Sequence, residues 1–114
     1  MKSNLTDKDR LIHIIDSANL ILKFCKNKTI EDFKNDEQLR SAVYYQFLII
    51  GEAVNHLNNE IIDNNKYPWH LPRSFRNFIA HEYFGINPER VWGIIDNNLI
   101  DFINLINNIL DRID

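Results

Sequence analysis

Apolar residues spaced three and four positions apart are the feature that most restricts the fold of this chain. One such stripe occupies residues 11–25, a second occupies residues 39–57 and a third occupies residues 91–113. Side chains with this spacing share one face of an α-helix. No alternating pattern of useful length predicts a β-strand, and the 114 residues include only three Gly and three Pro. The sequence therefore predicts an all-α fold.

Polar residues mark where the early helices begin. Thr6 with Asp9, and Thr29 with Asp32, have the spacing of a capping box, in which each side chain accepts a hydrogen bond from the other's backbone. The first box predicts a helix through about residue 26, and the second predicts a short helical turn around Phe33. A long helix is expected from about Asp36 to about residue 57.

The second half of the chain predicts two more helices. The polar residues after 57 and the segment Tyr67-Pro68-Trp69 predict a break. Pro72 then suits the first turn of a helix that ends near Gly85, and Asn87-Pro88 suits the start of a last helix through about residue 113. The expected architecture is an up-and-down four-helix bundle with a short extra helix, forming one domain over residues 1–114.

Gly51 stands inside the long predicted helix, where glycine costs roughly 1 kcal/mol relative to alanine. Close approach of a neighbouring helix would explain its presence.

Composition argues against several classes of protein. No apolar run approaches the roughly 20 residues that span a bilayer, and residues 1–4 begin no apolar segment, so we expect a cytoplasmic protein without membrane contact. The net charge of −3 argues against non-specific coating of nucleic acid. Cys25 is the only cysteine, which excludes an internal disulfide, and its apolar neighbours predict a buried, unreactive thiol.

One segment combines groups that can act on a phosphodiester. Arg76, Asn77, His81 and Tyr83 lie within eight residues. Arginine holds phosphate oxygens with a planar fork of donors, and histidine moves protons near neutral pH. Residues 66–90, which surround the cluster, carry four basic and two acidic side chains and form the only net-positive part of the chain. These groups are sufficient for RNA cleavage without a metal, provided that they converge.

Helix geometry limits how they can converge. Arg76 and Tyr83 are seven residues apart and fall on nearly the same face of a straight helix, whereas Arg76 and His81 differ by about 140°. Convergence of Arg76 and His81 therefore requires a distorted helix before Gly85, a long reach by the arginine, or a second subunit that supplies one of them.

Each residue also has a purely structural interpretation. Arg76 fits a surface charge, His81 fits a histidine near a helix end, where it stabilises the helix dipole, and Tyr83 fits a half-buried aromatic residue. No cluster at metal-ligand spacing, phosphate-binding glycine loop or Ser/His/Asp arrangement is recognisable, so no metal or cofactor is predicted.

The cluster resembles the signature of HEPN domains, which is an arginine, a polar residue, three residues and a histidine. Tyr83, two residues after His81, is the form found in the HepT branch of that family. Residues 49–53 (Ile-Ile-Gly-Glu-Ala), Tyr67-Pro68-Trp69, and residues 83–86 with Val91-Trp92 also resemble segments of that branch. The similarity extends over essentially the whole chain.

The resemblance implies a HEPN-like helical bundle and a homodimer with its site in the dimer cleft. It implies a metal-independent endoribonuclease, with Arg76 and His81 as catalytic residues and Asn77 and Tyr83 in support. It further implies the toxin of a toxin–antitoxin pair, whose antitoxin is an MntA-like minimal nucleotidyltransferase. That enzyme would silence the toxin by transferring AMP to Tyr83.

Two other functions remain open at this point. The chain could be a non-catalytic nucleotide-binding or regulatory partner of a minimal nucleotidyltransferase, with the cluster holding a nucleotide phosphate. It could also be a structural dimerisation module. Cleavage of RNA in the presence of EDTA distinguishes the first interpretation from these two.

Overall fold

The computed structural model describes residues 5–113, so the expectation for residues 1–4 concerns residues outside that range. Seven α-helices and one 3-10 turn follow one another, and residues 5–113 contain no β-strand. The helices are α1 (Asp7–Cys25), α2 (Ile30–Asn35), α3 (Glu37–Asn55), α4 (Asn59–Asn64), α5 (His70–His81), α6 (Pro88–Asn97) and α7 (Leu99–Arg112), with the 3-10 turn at Tyr83–Gly85. The predicted all-α bundle is confirmed.

Both predicted capping boxes are present. The Thr6 hydroxyl accepts from the Asp9 N–H at 3.1 Å, and the Asp9 carboxylate accepts from the Thr6 N–H at 3.0 Å. Thr29 and Asp32 repeat the arrangement at the start of α2. Each box satisfies backbone donors that the first helical turn leaves unpaired, which fixes where α1 and α2 begin.

The core lies where α1, α3 and α7 meet. α1 packs against both α3 and α7, and α3 also packs against α5 on another side. Apolar side chains of the predicted stripes fill the interior, and those without exposed surface include Leu11, Ile14, Ile21, Val43, Val54 and Ile106. The helical period of the sequence therefore identified the buried faces of all three helices.

The last helix was predicted to be continuous, and this is wrong. It divides at Asn98, whose φ of −125° and ψ of −27° depart from helical values, to give α6 and α7. Asparagine is a poor helix former because its side chain competes for backbone hydrogen bonds. The break lets α6 pack against α2 while α7 packs against α1.

The polar segment after α3 was expected to contain no helix, but it forms the six-residue α4. The Asn58 side chain caps it by accepting from the Glu60 N–H at 2.9 Å. Ile61 and Ile62 pack against the core from this helix. Capping and these two apolar contacts explain why a segment rich in asparagine is helical.

Gly51 lies at the closest approach of α3 and α5, as its position in the sequence predicted. A Cβ atom at residue 51 would lie 2.9 Å from the Arg76 nitrogen and 2.9 Å from the Pro72 carbonyl oxygen. Both are backbone atoms and cannot move aside cheaply. This contact sets the register of α5 against α3, and thereby the position of the Arg/His/Tyr cluster.

Two further predictions concern the burial of the Cys25 thiol and the absence of membrane-spanning helices. Cys25 is buried, as predicted, and loss of solvation raises the pKa of its thiol to about 11. Within residues 5–113, no helix is both long and apolar enough to cross a bilayer.

Candidate functional site

The helix that carries the cluster ends earlier than predicted. α5 is α-helical through His81, and the Glu82 N–H closes it by donating to the Phe78 carbonyl oxygen at 2.7 Å. The change to a 3-10 turn follows at Tyr83–Gly85. Because the distortion comes after His81, Arg76 and His81 remain on regular helix and their directions still differ by about 140°.

The Arg76 side chain points to α3. Its Nε donates to the Glu52 Oε2 at 2.9 Å, and both side chains are about half exposed, at 46% and 48%. Its Nη1 lies 3.5 Å from the Asn77 Oδ1, at the outer limit of a hydrogen bond. Within residues 5–113, Nη2 donates no hydrogen bond, so the end of the guanidinium fork is free to donate to a ligand.

The Glu52 carboxylate is held from two sides. Its second oxygen, Oε1, lies 3.0 Å from the Nε2 of His56, the residue that caps the C-terminus of α3. The His56 hydrogen bond, and after it the hydrogen bond and charge of Arg76, lower the pKa of Glu52 below its ordinary value of 4.5. Glu52 is therefore ionised at neutral pH and presents a fixed negative charge to Arg76.

Glu52 and His56 are neighbours of the site that the sequence argument did not assign. Their four-residue spacing on a helix was a usable signal, since side chains at i and i+4 lie together. The contact between Glu52 and Arg76 could not be predicted, because it joins residues 24 positions apart on different helices.

His81 lies at the last position of α5 and its side chain is exposed. In the described part of the chain, no hydrogen bond or ion pair joins it to Arg76 or to any other side chain. The structure thus places Arg76, Asn77 and His81 on one helix, but it does not bring Arg76 and His81 together within one copy of the chain.

Tyr83 turns back towards α3. Its hydroxyl lies 2.8 Å from that of Ser41, and its ring packs edge-on against Tyr44 with centroids 5.7 Å apart. Arg76 and Tyr83 therefore both contact α3, but Tyr83 lies beyond the end of α5, so the two residues do not share the straight helix that the sequence predicted. Tyr83 is half-buried, as its structural interpretation also predicted, while its hydroxyl lies beside an exposed serine.

An apolar cleft of about 440 Å³ lies beside the site, where α5 does not pack closely on α6. Phe75, Phe78 and Ile79 from α5 line one wall, and Val91 and Ile94 from α6 line the other. Large apolar side chains are also exposed nearby, namely Leu71 at 48%, Phe78 at 51% and Phe84 at 98%. Such a concentration of exposed apolar surface is typical of an interaction site.

No group of three or more His, Cys, Asp or Glu side chains within residues 5–113 has the arrangement of a metal site.

Comparison with known proteins identifies the family. The sequence pattern of the family described as "Ribonuclease HepT-like" matches residues 14–109, which include all of α3 and α5. This chain belongs to the HepT-like ribonuclease family. The resemblance to the HepT branch that the motif suggested is confirmed, and membership in the HepT-like family supports a ribonuclease.

Individual relatives agree with this result. A protein of Methanocaldococcus jannaschii with the name "Putative RNase" is 34% identical over 91% of this chain and 87% of its own length. A protein of Caldanaerobacter subterraneus subsp. tengcongensis with the same description is 31% identical over 94% of this chain and 96% of its own length. A Thermococcus cleftensis protein named "Probable ribonuclease HepT" is 29% identical over 81% of this chain and 84% of its own. No solved structure gave a significant match.

Proposed function

We propose that this protein is the toxin of a toxin–antitoxin pair and acts in the cytoplasm as a metal-independent endoribonuclease. The observation that carries the proposal is the complete Arg-Asn-x3-His-x-Tyr motif, which extends from α5 into the following 3-10 turn of a HepT-like ribonuclease. Arg76 and His81 are the proposed catalytic residues, with Asn77 and Tyr83 in support.

The proposed reaction needs only proton transfer and charge stabilisation. The ribose 2′-oxygen attacks the adjacent phosphorus while a histidine accepts the hydroxyl proton. The bond from phosphorus to the 5′-oxygen breaks, and that oxygen takes up a proton. The products are a 2′,3′-cyclic phosphate and a free 5′-hydroxyl. The Arg76 guanidinium stabilises the negative charge that develops on the phosphoryl oxygens.

A homodimer is proposed because one copy of the chain does not bring the two catalytic side chains together. The regular helix from Arg76 to His81 keeps them about 140° apart, so one active site would combine Arg76 of one subunit with His81 of the other. The exposed side chains of Leu71, Phe78 and Phe84 provide apolar surface that a second copy could bury. The His81 of each such site would accept the 2′-hydroxyl proton.

Mixing two inactive variants tests this arrangement. Arg76→Ala and His81→Ala are each expected to lower cleavage at least about a hundredfold. If each site takes its arginine and histidine from different subunits, the mixed dimer retains one intact site and the mixture regains about a quarter of wild-type activity, since random exchange makes about half of the dimers mixed. A mixture that exchanges subunits and stays inactive would show that both groups come from one chain.

The proposed antitoxin is an MntA-like minimal nucleotidyltransferase that transfers AMP from ATP to Tyr83. The phenol oxygen would attack the α-phosphorus, pyrophosphate would leave, and the phenol proton would pass to solvent. Tyr83 shares the α3-facing side of the cluster with Arg76. In a dimer cleft, a phosphate attached there would add negative charge to the surface that RNA approaches and would repel RNA.

Analysis of the RNA products tests the nuclease proposal. We expect fragments with 2′,3′-cyclic phosphate and 5′-hydroxyl ends, formed equally well in EDTA. If the folded wild-type protein leaves RNA intact but binds the nucleotidyltransferase and becomes modified on Tyr83, the chain is a non-catalytic partner subunit of that enzyme.

A further inference from the structure

The ion pair between α3 and α5 carries an inference that rests on the proposed ribonuclease and extends it. Glu52 follows Gly51, the residue at which the two helix backbones come closest. That close approach leaves no room for a side chain at residue 51, and it places the next residue beside Arg76. The hydrogen bond from the Arg76 Nε to the Glu52 Oε2, at 2.9 Å, is the result.

This hydrogen bond holds the arginine through Nε, which lies outside the terminal fork of Nη1 and Nη2. A guanidinium is planar, so fixing the Nε–H direction fixes the plane in which the two terminal nitrogens lie. Within residues 5–113 neither terminal nitrogen bonds to Glu52, which leaves the end of the fork for a ligand. The Glu52 carboxylate is itself held by His56 through its other oxygen, at 3.0 Å. An arginine oriented before the substrate arrives loses less freedom when it binds a phosphate.

We propose that Glu52 is a positioning residue, which orients the Arg76 guanidinium so that its terminal nitrogens meet the scissile phosphate of RNA. His56 acts one step further away, by orienting the Glu52 carboxylate. The alternative is that Glu52 inhibits cleavage, because a carboxylate can compete with phosphate for the same guanidinium. Removing the carboxylate lowers cleavage activity if Glu52 positions Arg76 and raises it if Glu52 competes with phosphate.

The kinetics of cleavage of a short RNA distinguish these two roles of Glu52. Glu52→Ala is expected to lower kcat by between about tenfold and a hundredfold, because the phosphoryl charge is then stabilised by a mobile arginine. The change in KM is expected to be smaller than the change in kcat. Glu52→Gln keeps an oxygen that can accept from the Arg76 Nε, so it should retain more activity than Glu52→Ala. Higher activity in either variant would show that Glu52 competes with substrate, and unchanged activity would show that it has no role.

A double-mutant cycle shows whether Glu52 acts through Arg76. In an Arg76→Ala background, Glu52→Ala should change the residual cleavage by less than about twofold, because the group that it orients is already absent. A further loss comparable to that in the wild-type background would overturn the proposal. Glu37→Gln is the matched control, since it removes an exposed carboxylate from the first turn of the same helix and should leave activity unchanged.

A third readout does not depend on cleavage. The Arg76 Nε–H resonance in a ¹H–¹⁵N spectrum, assigned by its absence from Arg76→Lys, should be shifted from the position of a free arginine in wild type and in Glu37→Gln. In Glu52→Ala, this resonance should return to the position of a free arginine. The same variant should bind an uncleavable 2′-O-methyl RNA at least fivefold more weakly than wild type. If wild type cleaves no RNA, the ribonuclease proposal fails, and these two measurements still decide the role of Glu52. If wild type and Glu52→Ala have the same Arg76 resonance and the same affinity for the RNA, the proposed role of Glu52 is overturned.

Discussion

The hydroxyl of Tyr83 lies 2.8 Å from the hydroxyl of Ser41, and Ser41 shares a face of α3 with Glu52, the partner of Arg76. The motif arginine and the motif tyrosine are therefore both anchored on α3, whereas the motif histidine is exposed at the end of α5. α3 thus orients two of the three chemically active side chains, and the third is available to a second molecule.

Tyr83→Phe tests the proposed control of the toxin. A phenylalanine keeps the ring contact with Tyr44 and loses only the hydroxyl that bonds to Ser41 and would accept AMP. We expect this variant to remain toxic when expressed and to escape silencing by the nucleotidyltransferase, as measured by growth with and without the partner. Ser41→Ala serves as the control, because it removes the same hydrogen bond but leaves the acceptor, and it should still be silenced. Full neutralisation of Tyr83→Phe would exclude modification of Tyr83 as the control step.

Gly51→Ala tests the packing that positions the site. The added Cβ would lie 2.9 Å from two backbone atoms of α5, so the helices must separate, and we expect a loss of about 1–3 kcal/mol in the free energy of unfolding. Gly93→Ala is a matched control on α6, where a Cβ meets nothing within 4 Å. It should stabilise the protein by about 0.5–1 kcal/mol through helix propensity. Urea unfolding measures both, and equal effects of the two variants would contradict the account of Gly51.

The acid side of the stability profile tests the Glu52 ion pair. The folded-state pKa of Glu52 is lowered, chiefly by His56 and then by Arg76, so its contribution is complete above the ordinary value of 4.5 and is lost as pH falls through the lower, folded value. The difference in unfolding free energy between wild type and Glu52→Gln should therefore shrink as pH falls below about 5.

The difference in unfolding free energy between wild type and Glu52→Gln should stay below about 1 kcal/mol, because the pair of Glu52 and Arg76 is half exposed and screened by solvent. Comparing two variants cancels the contributions of Asp9 and Asp32, whose pKa values are lowered by their capping hydrogen bonds. A difference that is the same at pH 6 and pH 3 would show that the ion pair does not contribute to stability.

Cys25 provides a test of burial far from the site. Loss of solvation raises the pKa of its thiol to about 11, compared with an ordinary value of 9.0. Because the thiolate is the reactive form, alkylation by iodoacetamide at pH 8 should be about a hundredfold slower in the folded protein than in urea. Folded protein that reacts as fast as the unfolded chain would contradict the burial of this thiol.

Local sequence information predicted most of the fold, because the deciding interactions are themselves local. Capping boxes join residues three positions apart, and apolar stripes repeat within one helix. The break at Asn98 and the short helix α4 were missed because asparagine suits helix ends, caps and turns alike. Which of these forms depends on packing with distant helices, such as α6 with α2.

The site was predictable only in part for the same reason. The sequence shows which chemical groups Arg76, His81 and Tyr83 supply, and their spacing gives the angles between them on a straight helix. The partners of these groups come from α3, since Glu52 and Ser41 are 24 and 42 residues distant from Arg76 and Tyr83. Gly51 was the sequence signal of that proximity, because a glycine inside a helix indicated a close neighbour without identifying it.

The most direct test of the central claim compares purified wild-type protein with His81→Ala, each incubated with total RNA and EDTA. We expect wild type to cleave the RNA and the variant to leave it intact, with both proteins equally helical by circular dichroism. Intact RNA after incubation with folded, unmodified wild-type dimer would contradict the proposed metal-independent ribonuclease, and equal cleavage by both proteins would contradict the role of His81.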